Sequence, residues 1–166
     1  MLQYPLLFVF PFAMAFAAAT DLLTMRIPNR LTLGLCAAFL LIAPVAGLSW
    51  QDILSHLAAG SCMLLAGILL FSLGWVGGGD AKLLAAASLW LGFEPLVPFL
   101  GYVAIFGGAL AIAILAYRSM PAGALPLPGW AARLHHKGEG MPYGVAIAAG
   151  ALAIYPSTGW SAALSG

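Results

Sequence analysis

Two of the chain's five acidic residues, Asp21 and Asp80, stand in surroundings that could give them chemistry to do. Asp21 closes a long apolar run and opens the stretch Asp21-Leu22-Leu23-Thr24-Met25-Arg26-Ile27-Pro28-Asn29. Asp80 ends Gly77-Gly78-Gly79-Asp80, just ahead of another apolar run. An ionisable side chain at membrane depth is costly, which makes it a functional candidate by default. Two carboxylates held close cannot easily both ionise, so they share a proton and present a base and an acid together. Such a pair can deprotonate a water for attack on a peptide carbonyl and protonate the oxyanion that develops. It titrates as a unit and requires neither metal nor cofactor. Taken singly, each residue also has a plainer role. Asp21 suits a solvated residue leaving a helix, and Asp80 a helix N-cap.

The elements that must position the pair are membrane helices. Of 166 residues, 63% are hydrophobic and 7% charged, with a mean hydropathy of +1.04. A soluble domain carries about 25% charged residues, so water is not the main solvent of this surface. A formal net charge of +1 with no dense basic patch gives no sign of a nucleic-acid partner. The apolar runs divide into six candidate helices, at roughly residues 4–20, 31–48, 53–74, 81–91, 96–117 and 143–155. This pattern predicts an all-α, polytopic membrane protein that forms a single membrane-embedded domain over residues 1–166. A full crossing takes about 20 residues, so the fourth helix is short. It either borrows residues from 75–79 or lies in a thinned, protein-lined environment. The first run lacks the basic start of a signal peptide and reads as a retained span.

Charge orients the helices. Arg26, Arg30, Lys82, Arg118, Arg133 and Lys137 all fall in alternate connections, while the opposite connections carry Asp52 and Glu94. By the positive-inside rule the basic face is cytoplasmic, both aspartates lie on it, and both termini lie outside. Trp50, Trp75, Trp90 and Trp160 fall near span ends, where an amphipathic indole favours the interface. Trp130 lies in the long fifth connection with Pro126, Pro128, His135 and His136, predicted to rest on the inner membrane surface without a long helix before Trp130. Cys36 and Cys62 lie inside apolar runs as packing residues.

Together the two aspartate stretches resemble those of the type IV prepilin peptidases, membrane aspartyl peptidases that process pilin-like precursors. That family has an aspartate followed by a basic residue and Ile-Pro-Asn, matched by Asp21, Arg26, Ile27, Pro28 and Asn29. Its Gly-x-Gly-Asp is matched by Gly77, Gly79 and Asp80, and the following Lys by Lys82. The Pro-aromatic-Gly that opens its last span is matched by Pro142, Tyr143 and Gly144. Gly-x-Gly-Asp alone is a weak signal, but three such stretches in order at the inner ends of the right spans are specific. The resemblance implies Asp21 and Asp80 as the catalytic pair, acting on a precursor with a basic leader, a Gly before the cleaved bond and a hydrophobic helix after it. It also implies a multi-pass location in the bacterial cytoplasmic membrane. Gly77, Gly78 and Gly79 are expected to let backbone approach an extended substrate closely. Arg26 and Lys82 are expected to act on the carboxylates or on lipid phosphate, and Pro28 and Asn29 to shape the turn and cap the second span.

Longer family members carry a cytoplasmic domain with paired CxxC motifs, associated with N-methylation of the product. This chain has no CxxC, which argues against methyltransferase activity and for the short type found with Flp (tight-adherence) pili. Archaeal preflagellin-type relatives are similar, but Pro142-Tyr143-Gly144-Val145-Ala146 is nearer the Flp branch. On the residues alone, two other readings stay open: a small proton-coupled transporter and a non-catalytic pilus assembly subunit. His135, His136 and Glu139 lack the spacing of a closed metal site. His56 falls near the outer end of the third span, with Asp52 and Glu94 as water-facing loop residues.

Overall fold

The computed structural model describes residues 4–120, 128–136 and 140–160. A 3-10 turn (Tyr4–Phe8) leads into α1 (Val9–Thr24), followed by α2 (Asn29–Val45), α3 (Trp50–Ser72), α4 (Gly78–Leu91) and α5 (Leu96–Arg118). A short α6 (Gly129–His135) precedes α7 (Tyr143–Ile154), which ends in a 3-10 turn (Tyr155–Ser157). Three stretches, Pro5–Thr24, Trp50–Ser72 and Leu96–Arg118, are long and apolar enough to cross a membrane. Their outer faces stay apolar, with Phe12, Leu65 and Ile112 each about 70% exposed. A surface this greasy suits lipid and not water. The chain is an all-α, polytopic helical membrane protein.

The short fourth helix is the centre of the bundle. α4 packs against α2, α3 and α7. From Ala85 to Leu91 every one of its residues is buried. Protein therefore replaces lipid around it, and its length need not match the bilayer. It also begins earlier than its apolar run suggests, because Gly78 and Gly79 form its first turn. Glycine permits the closest crossings. A Cβ on Gly60 of α3 would lie 3.0 Å from the Leu89 Cβ, and one on Gly67 2.9 Å from the Ala81 Cβ. α5 and α7 meet in the same way, with Gly150 against Val103. Small residues at such crossings let backbones approach and gain dispersion contacts where lipid supplies no hydrophobic drive.

At the end of the bundle away from Asp21, aromatic rings close the core. Trp90 stacks on Phe10 at 5.4 Å and tilts against Trp160 at 5.0 Å. Trp90 Nε1–H donates to the Leu35 carbonyl at 2.9 Å, and Trp160 Nε1–H to the Trp90 carbonyl at 2.7 Å. Both indoles are thus fully inside, contrary to the interfacial placement expected of them, because backbone carbonyls satisfy the N–H groups that would otherwise seek the headgroups. Trp50 and Trp75 do face outward. His56 Nδ1 hydrogen-bonds the Leu89 carbonyl at 2.8 Å, which ties α3 to α4.

Two further expectations are corrected. Asp52 lies in the first turn of α3, where its carboxylate accepts the Ser49 N–H and hydroxyl while Ser49 Oγ accepts the Asp52 N–H. This capping box starts α3 at Trp50. Cys62 is exposed on the outer face of α3, whereas Cys36 packs on the core. Trp130 stands in the first turn of the short α6, which starts after Pro128 as its N-cap. Pro126, Lys137 and Glu139 lie outside the described residues.

Candidate active site

Four helix termini converge where α1 ends and α2, α4 and α7 begin. α1 stops because Met25 takes a left-handed conformation (φ +54°), with its N–H donating to the Asp21 carbonyl at 2.7 Å. A non-glycine residue held there carries roughly 1–2 kcal/mol of strain. Ile27 cannot continue a helix into Pro28, which restricts the residue before it to extended backbone. Pro28 is itself extended and serves as the N-cap of α2, so Asn29 is the first helical residue. Asn29 therefore caps nothing with its side chain. Its Oδ1 accepts Lys82 Nζ–H at 3.0 Å and ties α2 to α4.

The two aspartates meet at this convergence. Asp21 stands in the last turn of α1 and is 5% exposed. Asp80 stands in the first turn of α4 and is partly buried. They line one cavity of about 640 Å³. The backbone N–H of Gly144, in the first turn of α7, donates to Asp21 Oδ2 at 2.7 Å and also lies against Asp80. That N–H is one of the four that a helix start leaves without an internal partner. α7 thus points its N-terminus at Asp21 while α4 carries Asp80 at its own. Both dipoles favour negative charge on the pair.

Of the residues the sequence singled out, Gly77, Gly78, Gly79, Arg26, Pro28 and Asn29 line the cavity with the aspartates. Lys82, Pro142, Tyr143 and Gly144 do not. Lys82 is held by Asn29, and Pro142 is buried as the N-cap of α7. Gly78 and Gly79 do not form an open segment ahead of α4. Only Gly77 is extended, Gly78 and Gly79 are helical, and none of the three has positive φ. A side chain lacks room at Gly77, whereas at Gly78 and Gly79 a Cβ would make only ordinary contact. A Cβ on Gly77 would lie 2.9 Å from Asp80 Oδ2, and one on Gly79 3.4 Å from the Ile27 Cβ.

Two positions were missed. Ile27 wedges between α4 and α7, with its Cδ1 only 2.8 Å from where a Cβ on Gly144 would be. Its place inside the Ile-Pro-Asn stretch was the available signal. Gly107, in mid-α5, leaves room for the Tyr143 ring, since a Cβ there would fall 2.6 Å from Tyr143 Oη. The spacing of Val103 and Gly107 puts both on one face of α5. α7 is thereby keyed to α5 at two points, Gly150 and Tyr143, and the Gly144 amide takes its position from that register.

α6 rests on the same end. Arg133 donates to the Leu23 carbonyl on α1, and Arg118 Nε–H donates to the Leu134 carbonyl at 2.8 Å. His135 Nε2 hydrogen-bonds the Met120 carbonyl at 2.9 Å and packs edge-on against Tyr117.

One end of this all-helical membrane bundle thus holds two buried or partly buried carboxylates beside the Gly144 backbone amide. The model of the type IV leader peptidase family matches residues 8–112, a stretch that contains both aspartates. The chain belongs to that family and is a leader-peptidase-type protease of the membrane. Neither the curated proteins nor the solved structures yielded a match.

Proposed function

We propose that this chain is an aspartic endopeptidase that removes the basic leader from pilin-like precursors at the cytoplasmic face, with Asp21 and Asp80 as its catalytic pair. The observation that carries this reading is that two carboxylates distant in sequence line one cavity, while the Gly144 N–H beside it donates to Asp21 and lies against Asp80. One carboxylate takes a proton from water, and the water oxygen attacks the scissile carbonyl. The other, protonated, gives its proton to the oxyanion. The first then passes the proton it took from water to the leaving nitrogen as the C–N bond breaks, and the second recovers its proton as the new carboxyl group forms. Burial strengthens the mutual repulsion of two ionised carboxylates, so a single shared proton is the favoured state. No metal or cofactor enters these steps.

The charge pattern supports the cytoplasmic assignment. Arg26, Arg30, Lys82 and Arg133 belong to the same end of the bundle as the pair, while Asp52 and Glu94 border a cavity at the other end. The whole chain acts as one membrane-embedded domain of the bacterial cytoplasmic membrane, with both termini outside. Its substrate belongs to the Flp type, cleaved after Gly, and its product leaves without N-methylation.

Co-expression with candidate precursors, followed by intact-mass spectrometry, tests the proposal. The expected product has lost its leader and bears an unmethylated N-terminus. Precursors recovered at full mass beside well-expressed protein would count against the assignment.

A further inference from the structure

A second cavity, of about 490 Å³, lies between α2 and α3. Both helices pack on α4 yet barely touch each other, so α4 forms the floor of a groove that opens toward lipid. The floor is low, because Ala85 and Ala86 carry nothing beyond a methyl group and Gly60 flanks them. The groove starts at Asn29 and Lys82 and runs down to Leu40 on α2 and Leu57 on α3. Below Lys82 it holds no charged residue. Asn29 also lines the aspartate cavity, so the two spaces join at that residue.

From Asn29 to Leu40 the wall rises roughly 16 Å, or about three helical turns. A helix of that length and ~10 Å diameter fills roughly 1,250 Å³. The groove therefore accepts one face of such a helix, about two-fifths of it, and leaves the other face to lipid. An acyl chain would also find the walls congenial. The junction at Asn29 favours a peptide, because the space beside the carboxylates must hold the cleaved bond and the chain has to continue somewhere apolar.

Resting on the peptidase reading, we infer that the α2–α3 groove is the docking surface for the first three turns of the precursor's hydrophobic helix, seated on Ala85 and Ala86 and guided to the aspartates past Asn29. The cleaved bond is then fixed by a helix lying along α4, and the basic leader is left free on the cytoplasmic side.

Ser61 and Cys62 are adjacent, exposed residues of α3, and Ser61 lines the groove while Cys62 does not. This gives a matched test, run with a precursor that the wild-type protein cleaves in co-expression. Ser61→Phe, which fills the groove, should raise KM about tenfold with kcat little changed, while Cys62→Phe leaves both at wild-type values. In an Asp80→Asn background, Cys36 should cross-link to single cysteines placed in the first three turns of the precursor helix, at helical spacing, and Cys62 should not. A wild-type KM in Ser61→Phe would overturn the groove, as would an equal rise in Cys62→Phe or an unreactive Cys36. A groove filled only by lipid gives that first result. If the wild-type protein cleaves no precursor, the peptidase reading itself falls and the docking surface with it.

Discussion

Gly144→Ala tests how tightly the carboxylate pair is set. The added Cβ would lie 2.8 Å from Asp21 Oδ2, 3.1 Å from its Cγ and 2.8 Å from Ile27 Cδ1. Ordinary contact begins near 3.4 Å, so the carboxylate must move by about 0.6 Å or α7 must retreat by as much. Either movement stretches the 2.7 Å Gly144–Asp21 hydrogen bond beyond about 3.2 Å, the limit of normal N–H···O geometry. A hydrogen bond to a charged group contributes about 1.5–3 kcal/mol, and a misplacement of about 1 Å can cost 10²-fold in rate. The expected loss in kcat/KM is therefore about 10²-fold, with about 1–3 kcal/mol of overpacking in stability. Gly108→Ala is the control, since a Cβ at Gly108 meets nothing within 4 Å. The assay is quantitative precursor cleavage in membranes at matched protein levels, with thermal stability measured on the purified variants. Activity within about threefold of wild type in Gly144→Ala would refute the idea that this amide positions Asp21.

Gly107→Ala should act on the same amide at one remove by displacing the Tyr143 ring, and about a tenfold fall in turnover is expected. Adding Tyr143→Leu removes the ring whose Oη, Cε2 and Cζ a Cβ at Gly107 would meet at 2.6, 2.7 and 2.8 Å and should restore part of the activity; no recovery would mean that the two residues act separately. Cleavage against pH should show one optimum with a fall on either side, because a doubly ionised pair lacks the acid and a doubly protonated pair lacks the base. Cleavage that holds undiminished up to about pH 9, the upper end for buried carboxyl groups, would exclude a shared proton. Trp90→Phe removes the indole donor to the Leu35 carbonyl, which keeps its helical partner, together with part of a fully buried ring, and should cost about 1–3 kcal/mol in thermal or denaturant melts, with cleavage per folded molecule unchanged.

How far the sequence reached depends on what each residue answers to. One-sided basic charge put Asp21 and Asp80 at the same end, but each taken singly also suited a plain role, and only the flanking Ile-Pro-Asn and Gly-x-Gly stretches joined them. The six apolar runs all became helices, since run length and apolar character are local properties. What eluded the sequence depends on neighbours. Trp90 and Trp160 suited the interface by chemistry, but carbonyls of Leu35 and Trp90 were within reach and drew them inward. Gly78 and Gly79 suited an open loop by conformational freedom, yet they form a helical turn in which a Cβ would meet Phe71 and Ile27 only at ordinary contact, 3.4 Å. Gly107 carries no local signal of importance, because its partner Tyr143 comes from another helix. The α2–α3 groove likewise exists only through the divergence of two helices over a third.

The central claim is that Asp21 and Asp80 act together in peptide cleavage, and intact-mass measurement of a precursor co-expressed with Asp21→Asn, with Asp80→Asn and with both tests it most directly. Asparagine preserves size while removing the titrating proton, so each variant should insert normally. Each single variant should lose at least about 10³-fold of the cleavage rate, and the double variant should lose little more, as expected of residues that act as a unit. Leader removal at near wild-type rate by either single variant, at equal membrane abundance, would contradict the paired mechanism.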